Sequence, residues 1–434
     1  MDLKPAREAL AAADILRLRH ELARCFPDDD EFARLEDMAR FAVAGGVPPS
    51  GLSEASDVLL ASLAMAKSRS QGWEFTPTRH LPQSLDFIAD LGGVQDWSIA
   101  RALNRLTLEL IEPNRQAALV GTLRDDGIYI LEWVAHYLAL GFEHAFLYTN
   151  DNSDGSDVLL NALARAGVIT VMHSEITGLV PPPETKAFGH ALDLLHELRN
   201  YEWALFVDSD EFLVLDPQYH HSIQKFLTAV AADPQPIGGV CFDWLWFVSD
   251  LVFEREPGLL CERFQHARPH FLSKCLVRLR EVQSMRRQHY PELAPGWVAV
   301  DSALRPLDLS TYWERRAAEY VGGRINHYWP RSFQEFVIKK ARGAALGGEE
   351  NLYDRPYDTF FRWNGYSSRE NHYPTDPKFL ALVKKKIQAL RRLPGVAAAA
   401  DAIEGGFGEL LWRNGDEARL RSLYRQYHTE PGDL

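Results

Sequence analysis

The sequence predicts an α/β protein whose mixed central sheet is flanked by helical segments at both ends of the chain. Two observations lead to this class. Short apolar runs alternate with amphipathic helical patterns from residue 115 onward, whereas the residues before and after that region show mainly helical spacing. Alternating strands and helices are typical of a parallel sheet covered by helices on its faces. A length of 434 residues leaves room for such a core with one or two appendages.

Residues 1–114 are predicted to form an N-terminal helical region. The runs PAREALAAADILRLRHELARCF (5–26) and SEASDVLLASLAMAKS (53–68) place apolar side chains at intervals of three and four. This spacing is typical of helices that bury one face.

Residues 115–343 are predicted to form the α/β core. Its first four strands are predicted at residues 116–123, 144–151, 168–175 and 203–215. The helices between them are predicted at residues 127–141, 155–167 and 185–200. Residues 238–249 and 271–279 then predict further strands of a mixed or antiparallel extension. Ligands of such sheets bind beyond the carboxyl ends of the strands, where this chain carries clusters of polar residues.

Two segments follow the core. Residues 344–376 show no regular period and are rich in aromatic residues, including Trp363. Long loops of this kind often cover binding sites, and aromatic rings suit the apolar faces of sugars, so we expect a lid over an acceptor. The alternative is that these rings fix the loop to the core. Residues 377–434 return to helical spacing and predict a C-terminal helical region.

Composition narrows the classes of function. Lys and Arg number 47 against 60 Asp and Glu, a formal net charge of −13, which argues against nucleic acid as the main partner. No run of 18 apolar residues and no secretory signal pattern occurs, so a cytoplasmic location is expected. The four cysteines have no metal-binding spacing, and we expect them to be reduced.

The run WALFVDSDEFLVL (203–215) brings three carboxylates to the end of an apolar strand. In one continuous strand, Asp208 and Asp210 would share a face and Glu211 would lie on the other. Buried carboxylates need a positive partner. Mn²⁺ or Mg²⁺ bound together with substrate phosphates would provide one, because hard cations prefer oxygen ligands. A helix cap or a surface ion pair is the alternative reading of this Asp-x-Asp motif.

Three ordered motifs resemble glycosyltransferase family 92 and its family 2-like bacterial relatives. They are LRDDGIYILEWVAHYLALGFEHAFLYTNDNSDGS (123–156), FVDSDEFL (206–213) and INHYWPRSFQEFVIKKARG (325–343). The resemblance covers about residues 116–343. It implies a GT-A fold and metal-dependent transfer of a sugar from a nucleotide-diphosphate donor. The chain departs from the family pattern at Arg124-Asp125-Asp126, where relatives have Lys-Asn-Glu, and in WLWFVSD, where they have Trp-x-x-Phe-Gly-Ser.

Roles for individual residues follow from these motifs. The candidates for binding the nucleotide are Arg124, Asp126, Asp154, Asp208, Lys339 and Arg342, and the candidate metal ligands are Asp208, Asp210 and His327. Three alternatives remain open: residues 150–155 as an ordinary polar turn, His327 as a core histidine, and Lys339 paired with Glu335 on the helix surface. Ser332 and Glu335 have the spacing of a capping box.

The expected reaction is attack by a glycan or other acceptor hydroxyl on a UDP-sugar, in the manner of a hexosyltransferase. Family members invert configuration, which requires a carboxylate as general base, and Asp243 and Asp301 are the candidates. One alternative function is a haloacid dehalogenase-type phosphatase, although Phe212 stands where that motif has Thr or Val. The other is a non-catalytic nucleotide-sugar-binding protein with the same fold.

Overall fold

The structure is a computed structural model. It describes residues 4–12, 14–25, 78–81, 105, 106, 109, 111–174, 183–193, 195–311, 317–341, 357–364 and 371–428. The helix predicted at residues 53–68 lies outside the described residues, as does Arg342. The N-terminal helices α1 (Lys4–Ala11) and α2 (Ile15–Cys25) agree with the predicted helical spacing, and strand β1 (Thr78–Leu81) joins the edge of the central sheet.

The first half of the core is the predicted alternation of strands and helices. The chain runs through β2 (Arg115–Leu123), α3 (Gly127–Leu140), β3 (His144–Thr149), α4 (Ser156–Arg165), β4 (Ile169–Ser174), α5 (Pro183–Asp193) and β5 (Tyr201–Asp208). The strands pair in parallel in the order β1-β4-β3-β2-β5. The helix predicted at residues 185–200 ends early, because α5 stops at Asp193 and a 3₁₀ turn spans His196–Asn200.

The second half of the core mixes strand directions, as predicted. It contains β6 (Glu211–Leu215), α6 (Ile223–Ala232), β7 (Ile237–Val248), the short helix α7 (Leu260–Arg263), β8 (His266–Arg278), β11 (Val298–Asp301) and β12 (Gly323–His327). Strand β8 is antiparallel to both β5 and β7, whereas β12 is parallel to β7 and antiparallel to β6. Strands β9 (Val282–Arg287) and β10 (Tyr290–Leu293) form a separate hairpin. The predicted α/β class with a mixed central sheet is therefore confirmed.

The run predicted as one strand at residues 203–215 is two strands. Strand β5 ends at Asp208, Ser209 and Asp210 form a turn, and β6 begins at Glu211. The expectation that strand alternation places both aspartates on one face is therefore wrong, since Asp210 does not lie on a strand. Indole and phenol groups of α3 hold this turn: Trp133 donates to the carbonyl of Asp208 and Tyr137 to that of Glu211, both at 3.0 Å.

The C-terminal part consists of helices. These are α8 (Phe333–Ala341), α9 (Asp358–Asn364), α10 (Pro377–Arg391), α11 (Val396–Asn414) and α12 (Glu417–Tyr427). Helix α9 lies inside the segment in which the sequence shows no regular period, and its buried Phe360 packs against Phe333 of α8 at 5.2 Å between ring centroids. Within the described ranges, no helix combines the length and apolar character needed to cross a membrane. The cysteines are free.

Candidate functional site

The carboxyl ends of several strands meet at one edge of the sheet. Asp208 at the end of β5 lies in register with Thr122 of β2, and Leu123 lies in register with Thr149 of β3. The loops that follow these strands carry the predicted residues 124–126, 150–154 and 208–210, so the topology brings them together. Strand β12 reaches the same edge, because His327 is in register with Glu211.

Asp210 is buried at the centre of this edge. The Lys339 ammonium donates to one carboxylate oxygen, and His327 Nε2 lies 3.6 Å from the other. The guanidinium of Arg331 lies 3.7 Å away. Burial alone would raise the pKa of Asp210, but these neighbouring positive groups outweigh it and hold the pKa well below its usual value. Asp210 is therefore ionised although it is buried.

His327 lies between Asp210 and two tryptophan rings. Its ring centroid is 4.2 Å from that of Trp244 and 5.1 Å from that of Trp246. Burial lowers the pKa of His327 despite the opposing effect of Asp210, so the ring is neutral near pH 7. Its Nδ1 has no hydrogen-bond partner among the described residues. A neutral imidazole in this position has the chemistry of a metal ligand or of a polar contact to a substrate.

Asp208 has a different positive partner, Lys274 of β8. The Lys274 ammonium lies 2.9 Å from Asp208, 3.6 Å from Glu211 and 3.5 Å from Glu184. Its side chain is only 1% exposed, whereas that of Asp208 is 31% exposed. Burial lowers the pKa of Lys274, but the surrounding carboxylates raise it well above its usual value. The sequence reasoning missed Lys274, although a single lysine within the apolar run FLSKCLVRL was a visible signal.

The loops after β2 and β3 are joined by carboxylates. Asp126 is buried and accepts a hydrogen bond from the Ser209 hydroxyl at 2.6 Å. Asp154 accepts the backbone N–H of Gly127 at 2.7 Å, so it connects the β3 loop to the first turn of α3. Burial raises the pKa of Asp154. Arg124 is half-buried directly after β2.

Arg331 is a second residue that the sequence reasoning missed. Its side chain is 2% exposed, and its guanidinium lies 3.4 Å from Asp126 and over the ring of Tyr129 at 3.7 Å. Nη2 has no hydrogen-bond partner among the described residues. Arg331 also has a left-handed backbone with φ of 54°, which is uncommon for this residue type and is concentrated at functional sites. Arg331 is therefore ion-paired with Asp126 and Asp210, and its Nη2 keeps a hydrogen-bond donor that an anionic ligand could use.

Glu335 fixes helix α8, which carries Lys339. It forms the predicted capping box, accepting the Ser332 N–H at 3.0 Å and receiving hydrogen bonds from Arg263 at 2.9 and 2.5 Å. Burial raises the pKa of Glu335, but the hydrogen bonds and charge of Arg263 and the hydrogen bond from Ser332 lower it by more. The net result is a pKa of about 2, compared with an ordinary 4.5. The alternative of a surface pair between Glu335 and Lys339 is therefore wrong, because Glu335 is buried against Arg263 and Lys339 contacts Asp210.

A cavity of about 150 Å³ opens beside this cluster of charges. Arg331 and Lys339 line it on the side of Asp210, and the loops after β2 and β3 form another side. Asp125 in this lining has a left-handed backbone, with φ of 50°. The cavity thus has acidic loops on one side and cations on the other.

The two candidate general bases accept hydrogen bonds from nearby loops. Asp243 is buried in β7 and accepts the N–H of Glu319 at 2.8 Å. Asp301 accepts the N–H groups of Ala303 and Arg305 at 2.9 and 3.0 Å and pairs with the Arg305 side chain. Both carboxylates therefore stabilise loops in this structure.

Trp363 of α9 extends the aromatic surface beside His327. Its ring stacks on Trp246 with 5.0 Å between centroids, and the Arg268 guanidinium lies 5.1 Å above it. Trp246 in turn contacts His327. The structure thus connects Trp363 to the site through one intermediate ring.

The fold and site together define an α/β protein with a buried cluster of carboxylates and cations at the carboxyl edge of its sheet. Residues 124–328 match the family model of Glycosyltransferase family 92. The resemblance predicted from the three motifs is therefore confirmed over this region.

Two individual proteins show weaker similarity. A glycosyltransferase family 92 protein of Oryza sativa subsp. japonica is 28% identical over 91 residues, which are 21% of this chain and 15% of the rice protein. The chain thus spans a small part of that relative. The crystal structure of S. aureus TarS 1–349 aligns over 73% of this chain and 93% of that chain at 13% identity, with a TM-score of 0.27. A TM-score this low does not define a shared fold.

Proposed function

We propose that the protein is a glycosyltransferase that moves a sugar from a UDP-sugar to a glycan or other acceptor hydroxyl. The observation that carries the proposal is the ionised, buried Asp210, with Lys339, Arg331 and His327 around it, next to an open cavity. The match to family 92 supports the same reaction class.

A divalent cation, Mn²⁺ or Mg²⁺, is part of the proposal. Among the described residues, no three His, Cys, Asp or Glu side chains form a ready metal cluster. Two protein ligands are nevertheless sufficient for a cation that also binds substrate phosphates. Asp210 and the neutral His327 fit this role, since their facing atoms lie 3.6 Å apart, and the partly exposed Asp208 is the third candidate. When bound, the cation would neutralise charge on the departing diphosphate.

The cationic side chains of the chain itself support binding of a diphosphate. Lys339 and Arg331 both border the cavity and contact Asp210, so phosphate oxygens would meet two fixed positive charges. Preorganised charges of this kind stabilise a leaving group because they need little reorganisation during the reaction. Arg124, Asp126 and Asp154 belong to the loops that would hold the nucleoside, and Arg342 follows Lys339 along the chain.

On the acceptor side, we propose that Trp363 and Trp246 present a surface for a sugar ring. Inverting transfer would require a base, and Asp243 and Asp301 remain the candidates, each after release from its present hydrogen bonds. The order of groups along the site would then be nucleoside, diphosphate, donor sugar and acceptor.

The proposal is tested by measuring UDP release from UDP-glucose, UDP-galactose and UDP-N-acetylglucosamine, with Mn²⁺ and with EDTA. We expect Mn²⁺-dependent release from at least one donor and no hydrolysis of p-nitrophenyl phosphate. Phosphatase activity without UDP release would favour the haloacid dehalogenase-type alternative. Binding of UDP without turnover, under all acceptor conditions tried, would favour a non-catalytic binding protein.

A further inference from the structure

Helix α11 lies outside the region that matches the family model, but it packs against the loops of the candidate site. Its Ile403 is buried and would lie 3.0 Å from a Cβ at Gly127 and 3.5 Å from one at Gly155. These glycines follow β2 and β3, so α11 sits directly on the two loops that border the cavity. A larger residue at Gly127 would push α11 away.

An ion pair also fixes this helix. Arg255 donates two hydrogen bonds to Glu404 at 2.6 and 2.8 Å, and its guanidinium lies 4.8 Å from the ring centroid of Phe407. Phe407 is the residue after Gly406, and both border the cavity. The helix is thus held in one orientation relative to the site.

The cavity has the size and chemistry of a site for a single aromatic ring. Its volume of about 150 Å³ equals that of an engineered protein cavity that binds benzene. Ile128 and Leu410 supply apolar walls, and the carboxylates of Asp125 and Asp154 lie in the same lining. Both oxygens of Asp154 already accept hydrogen bonds, from Gly127 and Ser156. The hydrogen bonds to Asp125 from Ser153 and Asp154 use Oδ1, so its Oδ2 favours a ring that carries an N–H donor, as uracil does.

We propose that α11 forms the wall that selects a pyrimidine base, and that Gly406 leaves the space which the base occupies. This inference rests on the proposed function, because it assigns the nucleoside of the donor to this cavity. Gly406 is the specificity-determining position, since any side chain there would enter the cavity. A bicyclic purine is larger than the single ring that a cavity of about 150 Å³ accommodates.

The geometry of α11 allows the space to be filled without disturbing the fold. A Cβ at Gly406 would meet no heavy atom within 4 Å, and the same holds at Gly405. Only Gly406 borders the cavity, whereas Gly405 is exposed. Replacing glycine inside a helix also favours the helical state. Gly405 therefore provides a matched control one residue away.

The experiment is isothermal titration of UDP and of ADP, in Mn²⁺, into the parent, Gly406→Trp and Gly405→Trp, with the melting temperature of each. We expect Gly406→Trp to weaken UDP binding at least tenfold and Gly405→Trp to change it less than twofold, with both melting temperatures retained. The parent should bind ADP at least tenfold more weakly than UDP. Gly406→Leu, with a smaller side chain, replaces Gly406→Trp should the latter unfold.

Two results would overturn the inference in distinguishable ways. Equal UDP binding by the parent and both Gly406 variants, or equal binding of ADP and UDP by the parent, would refute the role of α11 while leaving the proposed transferase intact. A parent that binds no nucleotide would refute the donor assignment and the inference together.

Discussion

Replacing Glu335 by Gln should destabilise the protein strongly and remove part of its sensitivity to acid. The side chain of Glu335 is 0% exposed and is paired with Arg263, whose own side chain is 7% exposed. Breaking such a pair from one side leaves a buried charge without compensation and costs about 3–5 kcal/mol. Gln has nearly the same shape as Glu, so the loss of stability measures the effect of removing the negative charge.

The pKa of Glu335 gives a second value for the free energy that its ionised form contributes to stability. It is lowered from 4.5 to about 2 in the folded protein, which corresponds to about 3 kcal/mol at 1.36 kcal/mol per unit. Because the folded pKa is depressed, this stability is fully present above pH 4.5 and is lost as pH falls towards 2. Between pH 5 and pH 3.5 the linkage relation predicts a loss of about 1 kcal/mol from this group.

The assay is urea unfolding of the parent and Glu335→Gln at pH 7, 5 and 3.5, followed by circular dichroism. The free energy of unfolding of the variant should be lower at pH 7, and the difference from the parent should shrink on acidification. Glu404→Gln is the control, because Glu404 also pairs with an arginine but is half-exposed, and such pairs contribute at most about 1 kcal/mol. A constant difference at all three pH values would refute the reasoning.

The remaining predictions concern the substrate side of the site. His327→Gln should weaken UDP binding in Mn²⁺ by about 10- to 100-fold with little change in melting temperature, and a large fall in melting temperature with unchanged affinity would identify a core histidine instead. Trp363→Ala should reduce transfer to an acceptor by about fivefold to tenfold while sparing hydrolysis of the donor by water. Equal loss of both activities would assign Trp363 to packing.

The alternation of strands and helices in residues 115–208 was predictable because it depends on local periodicity. The turn at Ser209 and Asp210 was not, since the apolar residues on both sides read as one strand. Tertiary contacts stabilise this turn, because Trp133 and Tyr137 of α3 donate hydrogen bonds to the carbonyls on either side of it.

The partners of the carboxylates were the least predictable part of the site. The sequence indicated that a positive group must meet Asp208 and Asp210, and it favoured a metal ion. The structure places Lys274, 66 residues after Asp208, and Lys339, 129 residues after Asp210, on these carboxylates. Such contacts depend on the antiparallel placement of β8 and on the direction of α8, which local spacing does not encode. Helix α9 was missed because packing of Phe360 on α8, rather than periodicity, defines it.

The central claim is that Asp210 organises the binding of a nucleotide diphosphate, and titration of UDP into the parent and Asp210→Asn tests it most directly. UDP is titrated into each protein once in Mn²⁺ and once in EDTA. The control is Asp401→Asn, because Asp401 is an exposed aspartate that is paired with Arg391. We predict that Asp210→Asn remains folded at the temperature of the titration, with a lower melting temperature because Lys339 and Arg331 lose a buried partner. It should lose about 10- to 100-fold of the Mn²⁺-dependent affinity for UDP, whereas Asp401→Asn binds like the parent. Parent-like affinity of Asp210→Asn for UDP in Mn²⁺ would contradict the account.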